Sequence, residues 1–196
     1  INRDVTDIVV ESGRVSGVLV GVDQFEAESI VVAAGPWSAS LLLNLGINAP
    51  VTPLRGQILR LDAPDPPVRV SLWWDTDYAT TKSDGLLWVG TTEEEVGFDD
   101  RTTSAARDRI IGSAVEILPY LSDAELVQQT ACLRPMTPDR LPIIEAVSGL
   151  EGLVIITGGG RNGILLGPSM GLAAANLVAG SDFPVDIRAF SLSRFA

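Results

Sequence analysis

The chain has 196 residues, of which 46% are hydrophobic and 20% are charged, a composition typical of one sizeable globular domain or two small ones. It carries 14 basic and 25 acidic residues, so its formal net charge is −11. An acidic surface repels phosphate backbones and anionic lipids, and we therefore expect neither nucleic acid nor a membrane surface as a partner. Its continuous apolar runs are shorter than the roughly 20 residues that span a bilayer, so we expect no transmembrane segment.

The chain has no histidine and a single cysteine, Cys132. Histidine is the commonest metal ligand and general base, so zinc enzymes and Ser-His-Asp hydrolases are excluded, as is an intrachain disulfide. We expect Cys132 to be a free, largely buried strand residue. The chain begins at Ile1 without a signal-peptide pattern, which predicts a cytoplasmic protein and a piece of a longer one.

The N-terminal quarter predicts two strands and a short helix. Residues 14–20 and 27–32 are β-branched runs joined by a short polar connection, and we expect them to pair as a hairpin or meander. The second run predicts a buried strand that leads through Gly35 and Pro36 into a short helix closed by Gly46.

The following segment, to about residue 97, contains short strand candidates broken by proline and aspartate, which predicts a mostly antiparallel sheet. The strand candidates are residues 57–61, 68–73, 78–82 and 86–90. An amphipathic pattern over residues 103–118 predicts a helix that packs against this sheet and stops at Pro119.

Side chains of this sheet have mostly structural interpretations. We expect three tryptophans in its core: Trp73, Trp74 and Trp88. Residues 93–95 are all glutamate and predict a solvated turn. Tyr78 is predicted to be half-buried; its hydroxyl could orient a polar substrate, and simple packing is the alternative.

The last third predicts a strand over residues 127–134, a proline-rich loop over 135–142 and a buried strand over 153–157. Six loop residues with four glycines (158–163) then precede an apolar helix at 164–179. Glycines let a ligand approach the backbone, and a helix start offers unpaired N–H groups at the positive end of its dipole. The loop can therefore stabilise negative charge on a phosphate, a carboxylate or a reduced flavin, although a plain turn fits the pattern equally well.

Two arginines stand where apolar strands meet loops, Arg134 and Arg161. A planar guanidinium binds a carboxylate through two parallel hydrogen bonds, which makes each a candidate substrate ligand. The alternative for each is a surface or structural ion pair.

Four segments, in this order and spacing, carry a resemblance to a known family. They are VVAAGPWSASLLLNLGI at 31–47, TPLRGQ at 52–57, CLRPMTPDRLPII at 132–144 and GGGRNGILLGPSMGLAAANLVAG at 158–180. Together they resemble the FAD-dependent amine and D-amino-acid oxidoreductase family, most closely its glycine oxidase branch. The resemblance covers nearly the whole chain.

The resemblance implies an α+β/α/β fold, the C-terminal part of a two-domain FAD-dependent oxidoreductase whose N-terminal Rossmann unit is missing from this sequence. Residues 1–46 and 131–196 are then parts of the FAD domain. Residues 47–130 are then the substrate-binding domain, an antiparallel sheet with a helix.

The resemblance also implies FAD as cofactor and a reaction. A small amine or amino acid, such as glycine, sarcosine or a D-amino acid, is oxidised to the imine by hydride transfer to the flavin. Arg134, Tyr78 and Arg161 are implied substrate-binding residues, and no side chain is assigned a catalytic role because the cofactor carries the chemistry. The implied cofactor-facing residues are Val5, Gly35, Trp37, Gly160, Arg161, Asn162, Gly163, Ile164 and Leu165.

Two alternatives stay open at this point. The first is a D-amino-acid dehydrogenase that passes electrons to a quinone, and the second is an inactive excised module that only pairs with its missing half. The expected partners are a small-molecule substrate and the N-terminal Rossmann portion, and homo-oligomerisation is left open.

Overall fold

The computed structural model describes residues 3–64, 68–181 and 184–195. The chain divides into two compact units. Unit 1 comprises Ile1–Thr52 and Arg134–Ala196, and unit 2 comprises Pro53–Leu133.

Unit 1 begins with a three-stranded antiparallel sheet of β1 (Asp7–Glu11), β2 (Arg14–Val20) and β3 (Asp23–Glu26). The predicted pairing of residues 14–20 with 27–32 is wrong, because β2 pairs with β3 instead. Gly21 has a φ of 66°. This left-handed conformation allows a two-residue turn between the strands, so the chain reverses earlier than the predicted connection.

A second sheet in unit 1 has the strand order β10-β11-β4. Here β11 (Leu153–Thr157) pairs antiparallel with β10 (Ile143–Ala146) and parallel with β4 (Ile30–Val32). The buried strand predicted at 153–157 is confirmed. Of the buried strand predicted at 27–32, only residues 30–32 form β4, and Val31 in it is 42% exposed. β10 directly follows the predicted loop and was not predicted. Short strands next to proline carry little sequence signal.

Two helices complete unit 1. The predicted short helix is α1 (Ser38–Leu43), which follows a 3₁₀ turn at Gly35–Trp37. The predicted apolar helix is α3 (Gly163–Ala179); it packs on β10 and β11 and buries Ala173 and Ala174.

Unit 2 is built on a five-stranded sheet with the order β6-β7-β8-β5-β9. Its strands are β5 (Thr52–Asp62), β6 (Leu72–Trp74), β7 (Asp77–Thr81), β8 (Leu87–Gly90) and β9 (Glu125–Met136). The four strands from β6 to β5 pair antiparallel, as predicted. Of the strand candidate at 68–73, only its last two residues belong to β6.

The predicted helix of unit 2 is α2 (Ser104–Ile117). Thr103 caps its start, since the hydroxyl accepts a hydrogen bond from the Ala106 N–H. Ile110 and Ala114 of α2 are fully buried against one face of the sheet, where they meet residues such as Leu59 and Val89. The opposite face of the sheet carries Tyr78 and its strand neighbours.

Three side-chain predictions for this sheet need correction. Trp73 is 67% exposed, because it lies on the edge strand β6 and on the face opposite α2. Trp88 is only half-buried and lies 4.2 Å below the Arg60 guanidinium. Cys132 is free but exposed, since it belongs to the other edge strand, β9. Trp74 does pack partly against the core.

Candidate functional site

The glycine loop between β11 and α3 has a backbone that only glycine can adopt at key positions. Gly158 and Gly160 have φ values of 76° and 51°. A Cβ on Gly160 would lie 2.8 Å from the Met136 Sδ, and one on Gly158 would lie 2.8 Å from the Thr137 Cγ2. The loop therefore packs tightly against the end of β9 and the residues that follow it.

The first turn of α3 presents apolar side chains to the outside. Ile164 is 97% exposed and Leu165 is 80% exposed. The first backbone N–H groups of a helix lack partners within the helix, and the side chain of Asn162 does not cap this one. The start of α3 thus combines two exposed apolar side chains with N–H donors at the positive end of the helix dipole. This combination suits a planar ring with a polar, electron-rich edge, such as that of a flavin.

The turn at Gly35–Trp37 lies at the same sheet edge as the glycine loop. Because β4 and β11 run parallel, both loops leave from carboxyl ends of neighbouring strands, where open α/β sheets bind ligands. The Thr157 hydroxyl donates to the Gly35 carbonyl over 2.9 Å and joins the two loops directly. Trp37 is 56% exposed, and Val5 precedes β1 in the other sheet of unit 1.

The two candidate arginines both belong to unit 1. Arg161 lies within the glycine loop, in a 3₁₀ turn. Arg134 lies in β9, two residues before Met136, which is the side chain that approaches Gly160. The structure thus brings the strand segment that carries Arg134 to the glycine loop.

Tyr78 belongs to unit 2, where it is half-buried as predicted. In β7 it pairs with Trp73 on one side and with Gly90 of β8 on the other. Its ring centroid lies 5.2 Å from the Trp73 ring, with a tilt of 36° between the planes. This contact places the Tyr78 ring against the edge strand, on the sheet face without the helix.

Unit 2 also contains a buried polar network that the sequence analysis missed. Arg55 is buried and donates to the Glu94 carboxylate over 2.6 Å. The prediction of a solvated turn at residues 93–95 is wrong for Glu94, which Gln57 also contacts at 2.8 Å. Burial alone would raise the pKa of Glu94, but the hydrogen bonds from Arg55, Thr92 and Gln57 outweigh it and hold that pKa below its usual value. The strand predicted at 57–61 begins after Arg55, whereas β5 begins at Thr52, so the sequence carries no direct signal for this network.

The glycine spacing needs one further interpretation. Gly158, Gly160 and Gly163 satisfy the pattern G-x-G-x-x-G, and they follow a strand and open a helix. A dinucleotide-binding unit also requires a parallel strand after that helix. Residues 180–181 and 184–195 contain only 3₁₀ turns and irregular backbone. The match alone therefore does not make this loop a Rossmann fingerprint.

One segment differs from the expectation drawn from apolar runs. Within the part of the chain that the structure describes, Gly160–Ala179 is long and apolar enough to cross a membrane by length and composition. Only 17% of it is buried. A helix that packs one face on a sheet passes the same test, and α3 does so through Ala173 and Ala174.

Comparison with known proteins identifies relatives along nearly the whole chain. The model of the family described as FAD dependent oxidoreductase matches residues 1–177. Glycine oxidase from Pseudomonas putida is 36% identical over 182 residues, which cover 93% of this chain and 50% of that protein. Hydrogen cyanide synthase subunit HcnC from Pseudomonas protegens is 36% identical over 197 residues, covering 100% of this chain and 47% of that subunit.

Solved structures agree. Iminodiacetate oxidase from Chelativorans sp. BNC1 superposes with a TM-score of 0.91 at 30% identity, over 97% of this chain and 53% of that one. Glycine oxidase from Geobacillus kaustophilus gives a TM-score of 0.90 at 32% identity, over 97% and 52%. The chain thus spans about half the length of the relatives it matches. It belongs to the FAD-dependent oxidoreductase family.

Proposed function

We propose that the chain is the C-terminal half of an enzyme that uses FAD to oxidise a small amine or amino acid to the imine. The observation that carries this proposal is the glycine loop at the start of α3, with two exposed aliphatic side chains and a segment bearing an arginine packed against it. Family membership gives the reaction class. The comparisons do not favour the quinone-linked dehydrogenase or the inactive module.

Unit 1 is proposed to complete the FAD domain. Bound FAD supplies two-electron oxidation by accepting a hydride from the substrate carbon. The N–H groups at Gly163, Ile164 and Leu165 and the helix dipole would stabilise negative charge on the bound cofactor. The exposed side chains of Ile164 and Leu165 would exclude water from it.

Other residues of unit 1 contact the cofactor through their backbone or ring. The proposed positions are Val5 at the adenine end, Gly35 and Trp37 at the neighbouring sheet edge, and Gly160, Arg161 and Asn162 in the glycine loop. The hydrogen bond between Thr157 and Gly35 holds the two loops at a fixed distance, so the cofactor meets a preformed surface.

Unit 2 is proposed to be the substrate domain, with Arg134 at its boundary as the carboxylate ligand. Arg134 lies at the end of a long strand, directly before Pro135, so its guanidinium extends from a rigid element. Arg161 and Tyr78 are the other proposed substrate-binding residues. Glycine and iminodiacetate, which name two of the relatives, are both small amines with a carboxylate. Glycine, sarcosine and small D-amino acids share that chemistry and are the proposed substrate class.

Substitution of Arg134 tests the proposal in the full-length holoenzyme. Arg134→Lys keeps the charge but loses one of two parallel bonds, so kcat/KM for an amino acid should fall roughly 10- to 150-fold. In Arg134→Ala the kcat/KM for an amino acid should fall further, while the amount of bound FAD should change little. For an amine without a carboxylate, the variants and the parent enzyme should have the same kcat/KM.

Arg188→Lys is the matched control, because Arg188 is an exposed arginine that pairs with nearby Asp186. It should leave kcat/KM unchanged. Full amino-acid activity in Arg134→Lys, or loss of the fold in Arg134→Ala, would make Arg134 a structural residue and remove the substrate assignment.

A further inference from the structure

Asp77 is a buried carboxylate directly beside the proposed substrate residue Tyr78. Its side chain is 4% exposed, although it begins a strand that follows a turn. Arg109 of α2 binds it through two parallel hydrogen bonds, Nη1 to Oδ2 at 2.9 Å and Nη2 to Oδ1 at 3.1 Å. The Ser113 hydroxyl donates to the same carboxylate at 2.8 Å. Arg109 and Ser113 are one helical turn apart, so one face of α2 holds this carboxylate.

The same helix face also holds the strands on both sides of β7. The indole N–H of Trp74 in β6 donates to the Ser113 hydroxyl at 2.8 Å. Arg109 Nη2 also donates to the carbonyl of Thr91, the residue after β8, at 2.8 Å. One arginine and one serine of α2 thus fix the adjoining ends of three neighbouring strands.

Tyr78 lies on the other face of the sheet from this network. Successive residues of a strand point to opposite faces, so the Asp77 side chain points to α2 and the Tyr78 ring points away from it. Fixing the Asp77 carboxylate fixes the orientation of the peptide that joins the two residues. The Trp73 ring, 5.2 Å away, limits the Tyr78 ring on the open face.

We propose that Asp77 and Arg109 are positioning residues that hold the Tyr78 hydroxyl in the orientation needed to bind the substrate carboxylate. The proposal rests on the role given to Tyr78 in the proposed function. The Asp77 carboxylate is buried, whereas the Arg109 side chain is 45% exposed. A carboxylate removed from water loses hydration, so such a pair is often no more stabilising than apolar packing. Its benefit here is a defined geometry: two parallel bonds, a third from Ser113 and a fourth to the Thr91 carbonyl allow a single arrangement of the strand ends.

The charge of Asp77 is consistent with a lasting ion pair to Arg109. Burial would raise the pKa of Asp77, but hydrogen bonds from Arg109 and Ser113 outweigh it and keep that pKa below the usual value. Asp77 therefore stays ionised at neutral pH. The groups that face it include the Arg109 cation, the neutral Ser113 hydroxyl and the backbone N–H of Thr91.

The test uses steady-state kinetics of the full-length holoenzyme with an amino acid. Tyr78→Phe removes the hydroxyl and should raise KM about 3- to 10-fold, the effect of one lost hydrogen bond. Arg109→Lys keeps the charge but loses the parallel pair and should raise KM to a similar extent, with kcat within roughly twofold. Ser113→Ala is a milder variant, for use if Arg109→Lys does not fold, and should raise KM about 2- to 3-fold.

The decisive comparison is the double variant Tyr78→Phe with Arg109→Lys. If Arg109 acts through the Tyr78 hydroxyl, the double variant should have the KM of Tyr78→Phe alone, because the two effects are not additive. A structural role would give additive effects. Asp108→Asn is the matched control, since Asp108 precedes Arg109 on α2 and is exposed; its KM should not change.

The outcomes separate two failures. If Tyr78→Phe raises KM while Arg109→Lys and Ser113→Ala do not, or if their effects add to it, the positioning inference is wrong and the role of Tyr78 stands. If Tyr78→Phe leaves KM unchanged, Tyr78 does not bind substrate and both are wrong. Formation of the imine product in the unmodified enzyme reports on the proposed reaction independently of these results.

Discussion

At the scale of single residues, Gln57 shows how unit 2 joins strand to loop. Its side chain is fully buried, and its amide uses both ends. The Nε2 group donates to Glu94 at 2.8 Å and to Thr103 Oγ1 at 3.2 Å, while Oε1 accepts from the Thr103 N–H at 2.8 Å and from Gln129 at 2.9 Å. One side chain therefore connects β5 with β9, with the loop after β8 and with the cap of α2.

Replacing the Gln57 amide by an apolar side chain of similar size should destabilise the fold. In Gln57→Met the part-buried Thr103 N–H loses its acceptor, so the free energy of unfolding should fall by about 1 to 3 kcal/mol. Urea denaturation measures it. Gln128→Met is the control, because Gln128 is an exposed strand residue that accepts a hydrogen bond from Arg60. Its free energy of unfolding should stay within about 0.5 kcal/mol of the parent value. Equal effects in the two variants would contradict the network's role.

The ion pair of Arg194 and Asp139 makes the stability of the fold depend on pH. The Arg194 guanidinium donates to Asp139 at 2.6 Å. This hydrogen bond is the largest of the interactions that lower the pKa of Asp139 from 3.8 to about 2; the backbone of Leu141 and the Thr137 hydroxyl also lower it. Because the folded-state pKa is the lower one, the pair stabilises the fold fully above pH 3.8 and loses this effect as pH falls to about 2. Arg194→Gln should therefore lower stability at neutral pH, and the difference from the parent should vanish over that interval.

Denaturation at several pH values measures this difference, and NMR titration of the Asp139 carboxyl group measures the pKa directly. In Arg194→Gln that pKa should return towards 3.8. A titration unchanged by the substitution would assign the shift to the other groups that contact Asp139.

At the scale of elements, glycine is needed in the glycine loop but is replaceable in α2. Gly158 has a φ of 76°, and a Cβ there would meet Thr137 and the backbone of Ile143 and Leu141. Gly112 lies inside α2, and a Cβ there would meet nothing within 4 Å. The first position requires glycine, whereas the second only loses helix propensity by having it.

These two glycines give a matched pair of substitutions. Gly158→Ala should lower the free energy of unfolding by about 1 to 3 kcal/mol, because alanine adopts that backbone only with strain. Gly112→Ala should raise it by about 0.5 to 1 kcal/mol, the difference in helix propensity. Chemical denaturation of both variants tests the pair, and a stabilised Gly158→Ala would mean that the loop is not held as the structure has it.

Some helices and strands are predictable from the sequence, and others are not. Periodicity predicts α2, α3 and the buried strand β11, because each has a regular apolar pattern that packing reinforces. It misses β3 and β10, since four residues carry little pattern and their pairing depends on partners distant in sequence. The glycine loop is predictable from composition, whereas the Asp77 and Arg109 pair joins residues 32 apart that only the fold brings together.

At the scale of the whole molecule, unit 1 exposes several large apolar side chains on its long helix α3. Along α3 the exposed side chains are Ile164, Leu165, Leu172 and Val178. Large exposed apolar patches commonly mark an interface. The chain spans about half the length of its relatives, and we propose that the N-terminal Rossmann portion packs on α3.

The last prediction is that the 196-residue chain alone retains almost no FAD, whereas the full-length protein that contains it is yellow. The start of α3 offers a surface for the flavin ring, but the pyrophosphate of FAD needs the helix N-terminus of a β-α-β unit. In our proposal the N-terminal Rossmann portion supplies that unit. Equilibrium dialysis with FAD and the visible absorbance of the dialysed protein measure retention for both forms. Circular dichroism of the chain alone is the control for folding. Stoichiometric flavin on the folded short chain would mean that the glycine loop holds the whole cofactor by itself.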